Sequence, residues 1–143
     1  MSSLCKVGLL ACALLSFAGT PGSAGEVAEP HVYLYFQSVE IQEKVFNLMV
    51  DTGATATVLA KKDMDRIPFK HMLGLVRTEL ANGTPMDMMV YVVPQMRVGD
   101  CLLTNVRVLE APSETAQGLL GTQVLAQLEP FSFNRGRLSV TCH

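Results

Sequence analysis

The sequence predicts a mostly β fold, with antiparallel strands in the majority and one or two short helices. Three observations carry that expectation. Short runs rich in aromatic and β-branched residues recur at close spacing, an Asn82-Gly83 pair separates two apolar runs, and only two brief stretches have helical composition.

Taken in order, Val32 to Ile41 (VYLYFQSVEI) and Val45 to Val50 (VFNLMV) read as a hairpin across a polar turn at Gln42-Glu43-Lys44. Ala60 to Ile67 (AKKDMDRI) has helical composition and stops at Pro68, whose ring cannot continue a helix. Leu75 to Leu80 and Met86 to Val93 flank Asn82-Gly83, a pair that favours a tight hairpin because both residues tolerate positive φ. Pro94 interrupts the second arm and predicts an edge or a bulge there. Gly99-Asp100 turns the chain into a strand from Leu102 to Leu109. Ala111 to Gly118 is polar and too short to link domains, and Gln123 to Leu128 is a second short helix ended by Pro130. Phe131 to Phe133 and Arg137 to Thr141 close the chain as a hairpin around Asn134-Arg135-Gly136.

The chain has 143 residues, 49% of them hydrophobic and 17% charged. That length allows one domain of ordinary size, and the apolar content supplies a core. Eleven Lys plus Arg against thirteen Asp plus Glu give a net charge of −2, so nucleic-acid binding through the backbone charge is disfavoured.

The first residues read as a leader. Lys6 precedes an apolar run from Val7 to Ala18, and small residues follow through Ala24. A charged start, about 7–15 apolar residues and a small-residue site describe a secretory signal peptide, cut here after Ala24. The run is shorter than the roughly 20 residues of a membrane span. An uncleaved anchor is the alternative, and Leu9-Leu10-Ala11-Cys12 resembles a lipoprotein box, although the apolar run continues past Cys12. The expected division is thus residues 1–24 as signal peptide, 25–30 as a flexible arm and 31–143 as the domain. Removing 24 of the 143 residues leaves 119, and loss of Lys6 takes the charge from −2 to −3. The expected location is periplasmic or secreted, with membrane attachment only if the leader is retained or lipidated.

Cys101 and Cys142 remain after cleavage. An oxidising compartment permits a disulfide between them, and two buried thiols are the alternative. Neither has the neighbouring His motif of a Cys nucleophile or a zinc site. His31, His71 and His143 show no metal-ligand spacing, and are expected before the first strand, in a loop and at the terminus. No metal or cofactor is expected.

One segment carries chemistry. Leu48-Met49-Val50 feeds apolar strand residues into Asp51-Thr52-Gly53, which presents a carboxylate at the end of a sheet. Gly53 gives room for a backbone N–H to reach that carboxylate, and the Thr52 hydroxyl can tie the loop to a neighbour. On its own the tripeptide also fits a plain Asp-capped turn.

The wider context separates the two readings. Leu48 to Leu59, with Ala54, Thr55, Thr57 and Leu59 after the tripeptide, resembles the active-site signature of the aspartic proteases throughout. Leu119-Leu120-Gly121 resembles the element that threads through and supports the Asp loop in the retropepsin-like family. The hairpin tipped by Ala81-Asn82-Gly83 stands where that family has its flap. The chain therefore resembles a single-domain retropepsin-like aspartic protease of the exported bacterial type. The resemblance implies a closed β domain of acid-protease type in which Asp51 is catalytic, Thr52, Gly53, Ala54, Leu119, Leu120 and Gly121 support its loop, and Leu80 to Met88 close over a peptide or protein substrate. Met86 and Met88 serve either as adaptable contacts to substrate or as core.

Hydrolysis by this route needs two carboxylates around one water, sharing a proton because like charges about 3 Å apart cannot both ionise. Only one Asp-Thr-Gly is present. Asp63, Asp65, Asp87 and Asp100 fall in a charged helix, after the flap tip and in a turn, as solvated charges. The second carboxylate is thus expected from the Asp51 of a second copy, in a homodimer whose Thr52 residues reach across to each other's loops. Two departures qualify the resemblance: Thr122 stands where retroviral enzymes have Arg, and the flap lacks their glycine-rich tip. The alternative function is a silent module of the same fold that binds protein without hydrolysis.

Overall fold

The computed structural model describes residues 34–142. The expected leader, arm, His31, the start of the first strand and His143 fall outside them.

Nine strands follow in chain order: β1 (Phe36–Ile41), β2 (Lys44–Val50), β3 (Thr57–Ala60), β4 (His71–Glu79), β5 (Pro85–Val98), β6 (Cys101–Ala111), β7 (Leu119–Leu120), β8 (Phe131–Asn134) and β9 (Arg137–Val140). Helix α1 (Lys61–Met64) follows β3, and α2 (Thr122–Leu125) follows β7 and runs into a 3₁₀ turn at Ala126–Leu128. Seven strands form one sheet in the order β1-β2-β7-β3-β6-β5-β4, and a further pairing of β1 with β5 closes it. Closure removes the free edges of β1 and β5 and encloses a core. Val39, Ile41, Phe46, Leu48, Leu59, Val93, Val98, Val106, Val108 and Leu120 point inward, with Met64, Val124, Leu125 and Leu128 from the helices. The period of two is plain in β2, where Phe46 and Leu48 are buried and Val45 and Asn47 are exposed.

The closed, mostly β fold agrees with expectation, but the sheet is not purely antiparallel. β2 runs parallel to β7 and β3 parallel to β6. Parallel partners need long crossovers, so periodicity in neighbouring residues cannot announce them.

Several local expectations are also corrected. The first turn is Gln42-Glu43 alone, with φ of 50° and 64°, and Lys44 already pairs with Ile41. The Gln42 carboxamide exchanges hydrogen bonds with the Phe69 backbone, which fixes that turn against the loop after α1. Helix α1 is four residues long, because Ala60 pairs with Ala111 as the last residue of β3. Beyond it, Arg66 N–H and Ile67 N–H donate three residues back to Asp63 and Met64, and the Lys70 ammonium donates to the carbonyls of Met64 and Ile67, both at 2.9 Å. Lys70 thereby caps the end of the helical segment, adding to the Ile67 N–H bond at Met64 O and supplying a donor to Ile67 O. His71 opens β4, opposite Val92, rather than lying in a loop.

The Asn82-Gly83 hairpin has a three-residue tip instead of a two-residue one. Only Gly83 has positive φ (79°), Gly83 N–H donates to Leu80 O at 2.8 Å and Leu80 N–H to Thr84 O at 2.9 Å. That is a type I turn followed by a left-handed residue, which Gly adopts without strain. Pro94 makes neither an edge nor a register shift. On one side β5 passes from β4, ending at Val92, to β1, starting at Arg97; on the other the ladder skips Pro94 and Asn105 together. The missing N–H therefore falls in a gap of the ladder.

The C-terminal hairpin is a separate two-stranded sheet, turned by Arg135 and Gly136 with φ of 47° and 80°. Its Leu138 enters the core, and Phe133 stacks on Tyr35 with ring centroids 4.6 Å apart. Of the two readings for the cysteines, the structure has the disulfide: Cys101, at the start of β6, is bonded to Cys142, just past β9. Closing a loop between residues 41 apart restricts the unfolded chain far more than the folded one. Reduction, or Cys101→Ser with Cys142→Ser, is expected to lower the unfolding free energy by about 2–4 kcal/mol in a denaturant titration.

Candidate active site

The site begins with strand β2, which runs out of the core at Val50 and delivers Asp51 half-buried at the barrel mouth. The loop after it has no sheet to lie in, so its backbone must be satisfied in another way. Its own carboxylate does part of this: Gly53 N–H donates to Asp51 Oδ1 at 2.8 Å, and Ala54 N–H reaches Asp51 O at 3.3 Å. A Cβ on residue 53 would stand 3.2 Å from that same Oδ1, so the glycine provides the room for the contact.

The rest comes from residues 118–123, which pass beneath the loop. Met49 N–H donates to Gly118 O at 2.9 Å and Asp51 N–H to Leu120 O at 3.1 Å, carrying the β2–β7 pairing into the Asp51 backbone. Thr122 N–H then donates to Ala54 O at 2.8 Å and Gln123 N–H to Thr55 O at 3.0 Å. Two glycines make this passage possible. A Cβ at Gly118 would lie 2.5 Å from Leu48 Cδ2, and one at Gly121 would lie 2.5 Å from the Ala56 carbonyl carbon and 3.0 Å from Ala54 O. The fully buried Thr57 hydroxyl accepts from Gly121 N–H at 3.3 Å, which gives that buried amide its partner.

Above the loop stands the hairpin of β4 and β5. A groove of about 680 Å³ separates the two, with Asp51, Gly53 and Ala54 on its floor and Glu79, Leu80, Ala81, Met86 and Met88 from the hairpin overhead. Pro112, Ser113, Ala116 and Gln117 form the opposite wall, and Val58, Leu109 and Leu119 give it an apolar lining. Of the expected flap residues, Ala81 faces the groove; Asn82 and Gly83 build the turn, with Asn82 Oδ1 accepting from Thr84 N–H at 3.0 Å. Met88 is buried, and both Met86 and Met88 line the groove. Thr52 is exposed and makes no hydrogen bond among the described residues.

The other aspartates stand away from this groove. Asp65 pairs with Lys61 at 3.2 Å, Asp87 with Arg77 at 3.2 Å, and Asp63 with Arg66 at 3.4 Å. Asp63 is half-buried rather than fully solvated, at 23% side-chain exposure. The wall from Pro112 to Gln117 and the supporting Gly118 were not singled out by the sequence, and Thr57 entered only as part of the Leu48 to Leu59 signature, without a role of its own. Gly118 directly before Leu119-Leu120-Gly121 is the signal that marked the close approach.

A single closed barrel, with one carboxylate at its mouth under a β-hairpin, is the architecture of one acid-protease lobe. The sequence model of the Aspartyl protease family matches residues 38–124, more than half of the chain, and the chain belongs to that family. Its fold is similar to the crystal structure of a retropepsin-like aspartic protease from Rickettsia conorii, at 18% identity and a TM-score of 0.56, over 72% of this chain and 78% of that one. No curated protein matches it.

The crossing of residues 118–123 under the Asp51 loop allows no side chain at its centre. Gly121→Ala is expected to destabilise the domain by about 3 kcal/mol, read as a lowered midpoint in denaturant, because the clash is with backbone that cannot rotate away.

Proposed function

We propose that the protein is an aspartic endopeptidase whose active unit is a homodimer, with one Asp51 from each subunit flanking the attacking water. The observation that carries this reading is the presence, at a groove sized for an extended peptide, of one Asp51 held by backbone donors and no second aspartate beside it. Glu79, the other carboxylate of the groove, lies on the hairpin above rather than in a matching loop. Exposed Thr52 beside Asp51 supports a contact between two copies of this loop, since a symmetric pairing brings a residue near its own mate.

In that pair the carboxylates share one proton. The ionised Asp51 takes a proton from water as the oxygen attacks the scissile carbonyl, and the protonated Asp51 hydrogen-bonds the carbonyl oxygen as charge builds there. Collapse of the tetrahedral intermediate expels the amine with a proton returned from a carboxyl group, so no covalent intermediate with the protein forms. The hairpin excludes water from the groove when it closes.

The N-terminal segment fits this reading as a cleaved export signal, which would place the mature domain in the periplasm or outside the cell. The Cys101–Cys142 bond suits an oxidising compartment.

Asp51→Asn keeps the size of the side chain and removes its ability to hold or release the proton. It is expected to reduce cleavage of an unfolded protein by about 10³-fold or more across the pH range, with folding by circular dichroism unchanged. Equal cleavage by wild type and variant would refute the catalytic role of Asp51, and cleavage by neither would leave the silent binding module as the better reading. The dimer is checked by sedimentation over a concentration series, where specific activity should rise with the dimer fraction; full activity in a strict monomer would refute the shared site.

A further inference from the structure

The groove at Asp51 does not end at the loop. A second concavity of about 350 Å³ opens alongside, and the two share Thr55, Ala56, Thr78 and Leu109 as common walls. One cleft thus runs from Asp51 past the root of the hairpin to a far end of different character. Asp51 and Glu79 are among the residues lining the near part, whereas Arg77 and Arg107 are among those lining the far part.

The two arginines are not equivalent. Arg77 is committed to Asp87, with Nε 3.2 Å from Oδ1. Arg107 is exposed on β6, opposite Val92 of β5, and makes no ion pair or hydrogen bond among the described residues. Around it, Thr55, Thr78 and Gln123 contribute polar side chains, and Val90 supplies an apolar flank for the stem of a bound side chain. A guanidinium offers five donors in a planar fork that matches a carboxylate, and this one has no carboxylate of its own.

We propose that Arg107 is a specificity-determining residue that recognises an acidic side chain of the substrate peptide at a position away from the scissile bond. The proposal rests on the protease reading above and names its substrate class more closely. A peptide lying along the cleft meets negative charge near Asp51 and Glu79 and positive charge at Arg107. The cleft therefore favours sequences that are apolar at the cut and acidic at a remote position, and in the homodimer the second Arg107 offers the same contact on the other side of the cut.

The test uses peptides built on a sequence that the protein cleaves within an unfolded substrate, exchanging Glu for Gln at each position within four residues of the cut. At about pH 6, above the ordinary glutamate pKa of about 4.3, one position, or one on each side of the cut, should favour Glu by about three- to fivefold in kcat/KM, chiefly through KM. Arg107→Gln should bring the Glu-to-Gln ratio close to one, and Arg107→Lys should keep part of the preference. The Glu-to-Gln ratio of wild type should fall towards one as the pH drops below about 4.3, because the protonated side chain no longer carries the charge. A Glu advantage at no position, or one of the same size in Arg107→Gln, overturns the assignment while leaving the protease standing. Failure of the wild type to cleave any unfolded protein rejects the protease reading itself, and this inference with it.

Discussion

The support of the Asp51 loop from below is the constraint on which the rest of the site depends. A strand end that leaves its sheet exposes backbone donors and acceptors, and here residues 118–123 meet them one after another, from Met49 N–H to Thr55 O. The arrangement works only because the two segments can lie almost in contact. Gly118 rests on Leu48 and Gly121 on the Ala54–Ala56 backbone, positions where any Cβ would collide. The Gly121 amide would otherwise be buried without a partner, and Thr57 supplies one from inside the barrel. Asp51 is thus placed by backbone and core rather than by ionic neighbours, and its Oδ1 spends one of its acceptor sites on Gly53 N–H. Asp51 itself lines the groove.

Rigidity below the groove contrasts with freedom above it. β5 is fourteen residues long and serves two structures in turn. Near Val98 it is held on both sides by β1 and β6 and lies close to the Cys101–Cys142 bond. Towards Pro85 it has left the barrel and pairs with β4 alone, whose Met72, Leu73 and Leu75 are exposed. A hairpin of two strands is marginally stable without a face to pack on, which suits a cover that must open to admit a peptide. The disulfide at the opposite end keeps that freedom from spreading into the barrel.

What the sequence revealed followed the range of its signals. The Asp51-Thr52-Gly53 turn, the hairpin at Gly83 and the turns at Gly99 and Gly136 are encoded by adjacent residues, and all were legible in position if not in every detail. Asn82-Gly83 misled on turn type because the same pair also suits a three-residue tip, where only Gly83 needs positive φ. Gln42 and Glu43 gave the reverse difficulty: both have positive φ without being Gly or Asn, and what holds the turn is Phe69, twenty-seven residues away. The parallel pairings of β2 with β7 and β3 with β6 join segments far apart, so hydropathy patterns said nothing of them. For the same reason Pro112 to Gln117 read as a plain polar loop, although the closed barrel turns it into a wall of the groove.

Thr122 shows how the same physics bears on the proposed dimer. In the retroviral enzymes that the sequence resembles, an arginine stands at this point and gives ion-pair support at the dimer interface, which Thr122 does not supply. Here the Thr122 backbone N–H holds Ala54 O at 2.8 Å, a contact that any residue except proline can make. The loop therefore needs no guanidinium to keep its shape within one chain. On the homodimer reading, the burden passes to what the loop presents outward, and Thr52 is the polar side chain it leaves exposed beside Asp51. A hydroxyl both donates and accepts, so two copies facing each other across a twofold axis can bond reciprocally without unlike partners. Such a contact is neutral and short, and it would draw the two Asp51 carboxylates together without placing another charge beside them.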